Sequence, residues 1–281
     1  MARRSKSEID IIKTAIYDAL VVDQPMTVRQ MFYRLVSQGV IDKTECEYKN
    51  AVGRLLTIMR ESNEIPFRWI ADSSRIMRKP RSYDSMEDCL NETLKTYRRN
   101  FWRNQPHYVE IWCEKEALSG VLYEVTSQFD VPLMISRGFS SISFLHTAAE
   151  HISHQNKPAF LYHFGDHDPS GRAIDSNILK KLKQYAPNTP IQFQRMAVTE
   201  TQIKQYDLMT RPTKQTDSRA KNFEGGSVEV DALPPSVLKE MVRLCIDQHL
   251  DHYQYSQMKN AEWMERDTLS SFRNRWQLEN N

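Results

Sequence analysis

From residue 107 onward, short apolar runs alternate with longer amphipathic stretches. "YVEIWCE", "VPLMIS", "PAFLYHFGD" and "IQFQRMAV" are too short for buried helices and rich in β-branched and aromatic residues, so they read as strands. Between them, "EALSGVLYEVTSQF", "SISFLHTAAEHISH" and the stretch from Pro169 to Tyr185 carry the helical period. Strand–helix alternation with short joints predicts a parallel sheet covered by helices. "SVEVDAL" is expected to add a further short strand, followed by a proline-started helix from Pro234 to Leu250. The stretch from Met209 to Gly226 is polar and irregular and reads as an exposed basic loop.

The first third has a different pattern. Ser7, with Asp10 in the reciprocal position, is expected to cap a helix running to about Val22. Thr27 caps a second helix, which Gly39 ends in a left-handed conformation. A third helix, from about Thr44 to Glu61, places Val52, Leu55, Leu56 and Met59 on one face. "IPFRWIADSSR", Ile65 to Arg75, reads as a strand, a turn and a return. Three helices and a basic hairpin are the order of a winged helix-turn-helix. Asp84 to Asn104 is helical and charged and reads as a connector. The expected fold class is therefore α/β. A winged helix-turn-helix over 1–82 and a connecting helix over 83–106 lead into a Rossmann-like parallel-sheet domain over 107–281, which ends in a helical extension.

Composition narrows the function classes. Of the 281 residues, 40% are apolar and 26% charged, enough for a sizeable core and unlike a disordered chain. No apolar run is long enough to cross a bilayer and no signal-peptide core follows the basic start, so a cytoplasmic protein without membrane partners is expected. Four scattered cysteines without a Cys-x-x-Cys pair indicate neither a zinc site nor a disulfide framework. Net charge is only +2, but residues 1–105 carry roughly five more basic than acidic side chains and the remainder roughly three more acidic than basic. That asymmetry suits a DNA-gripping part joined to a metal-binding part.

In a parallel sheet, functional groups gather at the carboxyl ends of strands. Glu114 closes the first strand, and Asp166 and Asp168 close "FLYHFGDHD". If those strands are neighbours, three carboxylates converge at one edge. Such oxygen ligands suit Mg²⁺, which can neutralise charge during phosphoryl transfer. The plainer reading is that the aspartates cap or turn the chain into the next helix. His167, between them, points elsewhere and reads as a surface or supporting residue. Glu114 followed by Gly165-Asp166-x-Asp168-Pro169-x-Gly171 resembles the Toprim domain of topoisomerases, primases and certain nucleases. "DHDPSG" is similar to the version in the topoisomerase VI A subunit, and "SRGFSSISF" is loosely similar to that family's glycine-containing segment. The resemblance implies metal binding by Asp166 and Asp168, and acid–base or metal work by Glu114.

"TVRQMFYRLVSQG" supplies a candidate nucleophile. On a helix, Val28, Met31, Phe32, Leu35 and Val36 form one stripe. Tyr33 falls outside it, one turn beyond Arg29. A tyrosine so placed is expected on a polar face, either covering apolar edge or offering its hydroxyl to a phosphodiester, with Arg29 offsetting phosphate charge. Thr27-x-Arg29-x-x-Phe32-Tyr33 resembles the catalytic-tyrosine motif of topoisomerase VI A and of the related meiotic double-strand-break transesterase. In both, a winged-helix domain precedes a Toprim domain. The resemblance spans about Thr27 to Leu250. It implies cleavage of double-stranded DNA with a 5′-phosphotyrosyl link, in a homodimer where Tyr33 of one chain meets the acids of the other. Lys49, Arg54, Arg68 and Arg75, then Lys214 in the late loop, are candidate phosphate contacts. Arg211 belongs to that late basic patch, and Glu229 and Asp231 are candidate supports of the metal site. Departures from the family are the short lead before the first helix and the absence of a Gly-x-x-x-x-Gly-Lys phosphate loop. DNA cleavage is accordingly better supported than strand passage, which needs an ATPase B-type subunit in trans. A nuclease using metal-activated water and a non-catalytic DNA-binding module are the alternatives.

Overall fold

The computed structural model of the chain describes residues 4–71, 80–212, 223 and 225–280. Helix α1 (Lys6–Val22) is opened by Ser5. Its hydroxyl accepts the Glu8 amide, and the Glu8 carboxylate accepts the Ser5 amide. The expected Ser7–Asp10 cap is displaced by two residues. Both pairs have the Ser-x-x-acid spacing, and the longer glutamate is the one that reaches back. Helix α2 (Val28–Ser37) is capped as expected by Thr27, with Gln30 completing the reciprocal pair, and Gly39 follows it with φ of 68°. The third helical segment is a π-helical turn, Glu47–Gly53, running into α3 (Arg54–Glu61). Ile12, Ile16 and Leu20 of α1, Met31, Phe32 and Leu35 of α2, and Leu56 and Met59 of α3 share one core.

The expected strand after Ile65 is instead a single 3₁₀ turn, Phe67–Trp69, and Ile70 forms one isolated parallel bridge with Met26. Pro66 enters that turn and three tightly wound residues follow, so the apolar run does not extend. The return arm, with Arg75, lies outside the described residues. Helix α4 (Met86–Thr96) is shorter than the expected connector.

Four parallel strands follow: β1 (Tyr108–Cys113), β2 (Leu133–Ile135), β3 (Ala159–Phe164) and β4 (Ile191–Ala197), ordered β2-β1-β3-β4. The mixed α/β architecture expected from the alternation is present. The two strands whose ends carry the acids are neighbours, paired from Tyr108 opposite Ala159 to Cys113 opposite Phe164. Helices α5 (Ser119–Thr126), α6 (Ile142–His154), α7 (Pro169–Tyr185), α8 (Glu200–Gln205), α9 (Pro235–Asp247) and α10 (His252–Asn280) complete the chain. Side-chain alternation splits the strands between two cores. Val109, Ile111, Tyr162 and Phe164 face α5 and α9, whereas Trp112, Ala159 and Leu161 face α6 and α7. Covered on both faces, β1 is buried at every position, as a central parallel strand requires. The strand expected in "SVEVDAL" is not part of this sheet. Ser227 and Val228 form isolated antiparallel bridges to Arg211 and His167, and Val230–Ala232 is a 3₁₀ turn. Among the described residues no helix is long and apolar enough to cross a membrane.

A carboxylate is buried inside the α6–α7 layer. Glu110 is fully buried in β1, and its carboxylate accepts Tyr108 Oη at 2.7 Å and Trp112 Nε1 at 2.8 Å. His151 Nδ1 lies 3.7 Å from the same carboxylate, and that contact raises the imidazole pKa above its ordinary 6.5. A raised folded-state pKa adds stability that is fully present below the ordinary value and disappears as pH rises through the raised one. The melting temperature of the wild type, relative to His151→Ala, is therefore expected to fall as pH is raised from below 6.5 into the range above it. Parallel melting curves of the two proteins across that window check this.

Candidate functional site

β1 and β3 end side by side, so Glu114 and the turn Gly165–Asp168 leave the sheet at one edge, where the Glu114 amide donates to Phe164 O at 2.9 Å. Glu114 Oε2 accepts the Asp166 amide at 3.1 Å. Asp168 caps α7, its Oδ1 accepting the Gly171 amide at 2.7 Å, so the plain reading of this aspartate as a helix cap holds. Asp166 Oδ1 accepts the Val230 amide at 2.8 Å and lies 3.2 Å from Lys115 Nζ. Burial lifts the Glu114 pKa, and the charges of Asp166 and Asp168 push the same way. Burial likewise lifts Asp166, against the pull of Lys115.

The turn is held from beneath. Arg195, on β4, donates from one guanidinium nitrogen to the carbonyls of Gly165 and Asp166, both at 3.0 Å, and from Nε to Asp175 on α7. Asp175 in turn lies 2.7 Å from Nδ1 of the fully buried His163. Gly171 is required by close approach, since a Cβ there would meet Asp166 O at 2.2 Å. His167 is buried rather than at the surface, because its backbone pairs with Val228 in both directions, at 2.8 and 3.0 Å.

Lys115 is the residue that sequence reasoning passed over. Its ammonium lies 2.7 Å from Asp231, 3.1 Å from Glu229 and 3.2 Å from Asp166. Burial alone would pull its pKa down, but the three carboxylates outweigh burial and hold it up. Its signal was its place directly after Glu114, which carries it to the same sheet edge. Glu229 and Asp231 reach beyond Lys115 to α2. Asp231 Oδ1 accepts Thr27 Oγ1 at 3.2 Å, and Glu229 lies 3.6 Å from Arg29 Nε. The tyrosine-motif helix is thus docked on the acidic edge of its own chain.

Tyr33 is 6% exposed and packs edge-on against Phe32, which corrects the expectation of a polar-face tyrosine. The helical period placed it outside the stripe of α2. Its ring nevertheless belongs to the apolar core of the helical region, and with the distant segments 206–209 and 231–235 it lines a cleft of about 160 Å³. Burial, with Glu229 nearby, pushes the phenol pKa up to about 12, against Arg211, Arg29 and Lys115. Arg29 also lies 4.2 Å over the Tyr48 ring and 3.1 Å from Glu45. Lys49, Arg54 and Arg68 are exposed on the helical region, apart from this cluster. Arg75 and Lys214 lie outside the described residues.

Glu114, Asp166 and Asp168 are hard oxygen donors of the kind Mg²⁺ takes, and the mutual crowding that raises Glu114 is what a divalent ion relieves. Among the described residues no three His, Cys, Asp or Glu side chains gather closely enough to hold an ion alone. Asp166 is turned to Lys115 and Asp168 to the helix cap. Glu114 likewise accepts the Asp166 amide, so each of the three carboxylates already has a partner within the chain.

No protein-family model, no curated protein and no solved structure matches this chain.

Gly171→Ala is expected to destabilise the protein by about 1–3 kcal/mol, because the methyl group displaces the Asp166 carbonyl. Urea unfolding measures this. An unchanged stability would show that the turn yields without strain.

Proposed function

We propose that this chain is a Mg²⁺-dependent DNA-cleaving transesterase related to the topoisomerase VI A subunit, with a winged-helix-like first part and a Toprim-like second part. The observation that carries this reading is the docking of the Thr27–Tyr33 motif helix on Asp231 and Glu229, one ammonium away from Asp166. A nucleophile candidate and an acidic edge thereby belong to one electrostatic unit.

The reaction is a phosphoryl transfer. Tyr33 Oη bonds to the phosphorus of a DNA phosphodiester, the P–O3′ bond breaks, the phenol proton leaves and the 3′ oxygen gains one. Glu114, whose pKa is raised first by burial and then by Asp166, is suited to exchanging a proton with the reacting groups. Asp166 and Asp168, with Glu114, would hold Mg²⁺, which supplies charge neutralisation to the phosphoryl oxygens. Arg29 faces the same charge from the motif helix. With the Tyr33 pKa pushed up to about 12, the phenol is protonated at neutral pH, so attack requires Tyr33 to be uncovered and its proton accepted as the bond forms. Two chains cutting opposite strands would give a double-strand break inside the cell, and strand passage would need an ATPase subunit in trans.

The burial of Tyr33 favours one second reading, a nuclease in which metal-activated water attacks and Tyr33 only packs. Labelled supercoiled DNA incubated with Mg²⁺ and run on a denaturing gel separates the two. The transesterase is expected to leave covalent protein–DNA adducts that vanish in Tyr33→Phe and in Asp168→Ala. Free nicks that persist in Tyr33→Phe but vanish in Asp168→Ala would establish the hydrolase instead.

A further inference from the structure

Two cations bracket the Tyr33 ring. Lys43 Nζ, from the segment after α2, lies 5.4 Å from the ring centroid, and the Arg211 guanidinium carbon, from the far half of the chain, lies 5.9 Å from it. Lys43 donates to Met209 O at 2.9 Å and has no carboxylate partner among the described residues. Burial pulls its pKa down, and the charge of Arg211 pulls it further, against a smaller upward pull from Glu229. The like charges are therefore close enough to oppose each other. Arg211 is paired at 3.0 Å with Glu229, which also lies 3.6 Å from Arg29 and 3.1 Å from Lys115. One carboxylate thus serves three cations, and the other partner of Arg29, Glu45, is mostly exposed. Among the described residues, the negative charge beside Lys43 and Arg211 comes from Glu229, which is shared with Arg29 and Lys115, so the pair is short of it. A monoanion with several acceptor oxygens satisfies that shortage, and a backbone phosphodiester is one.

We propose that Lys43 and Arg211 hold the phosphodiester presented to Tyr33, and that this phosphate site is completed within a single chain. The inference rests on the transesterase reading for what lies beside Tyr33. It goes beyond that reading by assigning Lys43, by giving Arg211 of the late basic patch a specific phosphate, and by placing phenol and phosphate anchors in the same chain. Neither residue belongs to the tyrosine motif or to the acidic motif. They meet only because α2 is docked on the segment 229–231.

The test is fluorescence anisotropy of a short labelled DNA duplex against full-length protein over a range of salt concentrations. Lys43→Met and Arg211→Met are each expected to lower the slope of log affinity against log salt by about 0.9, which is about an eightfold loss at about 0.1 M salt. Lys183→Met, an exposed lysine on α7, controls for general loss of surface charge. If both variants follow the control, the proposal fails. Should the wild type still form its Tyr33 adduct in that case, the transesterase reading survives alone. If the wild type binds no duplex, both fall. An equimolar mixture of the two variants is expected to bind as their average. Recovery of a fraction with wild-type affinity would show that Lys43 of one chain works with Arg211 of another, and would overturn the single-chain site.

Discussion

The Lys115 ammonium sits among three carboxylates, and each of them carries a different part of the molecule. Asp166 belongs to the acidic turn after β3 and also accepts the Val230 amide. Asp231 accepts the hydroxyl of Thr27, the residue that caps α2. Glu229 gathers Arg29 and Arg211. A buried ion cluster of this kind contributes little net stability over an apolar equivalent, but loss of one member leaves uncompensated charge behind. Its consequence here is geometric. The sheet edge, the segment 229–231 and the tyrosine helix can satisfy Lys115 and its acids only in one mutual arrangement, and that arrangement puts Tyr33 beside the acidic edge.

The same arrangement explains the state of the phenol. Its ring packs into the core of the helical region, so burial is the largest influence on its pKa and opposes ionisation. Three cations work in the other direction without overcoming it. On the transesterase reading proposed above, such an environment would keep the phenol protonated until DNA phosphates compete with Glu229 for the arginines.

Beneath the acids, the structure is rigid for a separate reason. Arg195 binds two successive carbonyls of the turn, and Asp175 orients Arg195 while pairing with His163. The carboxylates of Asp166 and Asp168 are thus aimed by backbone that is itself held. Gly171 leaves room for the turn to close against α7. Burial would raise the Asp175 pKa, yet His163 and Arg195 hold it below the ordinary range, as expected of a carboxylate whose charge is used.

Much of this was legible along the chain. Alternation from residue 107 implied a parallel sheet, and the pairing of β1 with β3 bore out the expectation that Glu114 and the Asp166–Asp168 turn share an edge. The cap at Thr27 and the stop at Gly39 were local and read correctly, because caps depend on residues three or four apart. The Ser5 cap and the 3₁₀ turn at Phe67–Trp69 were misread where two local patterns competed. Tyr33, Lys115 and Arg195 mark the boundary. A helical period gives the main apolar stripe of α2, but not that Tyr33 also enters the core or that residues some two hundred positions later stand across a cleft from it. Lys115 has only its place after Glu114 and Arg195 has no local pattern at all, since their partners lie on other elements. Residue type and spacing alone determined the elements and the chemistry available at the strand ends. Which charges meet, and whether the phenol is open or covered, was decided by tertiary contacts, because electrostatics and burial depend on distance in space rather than along the chain.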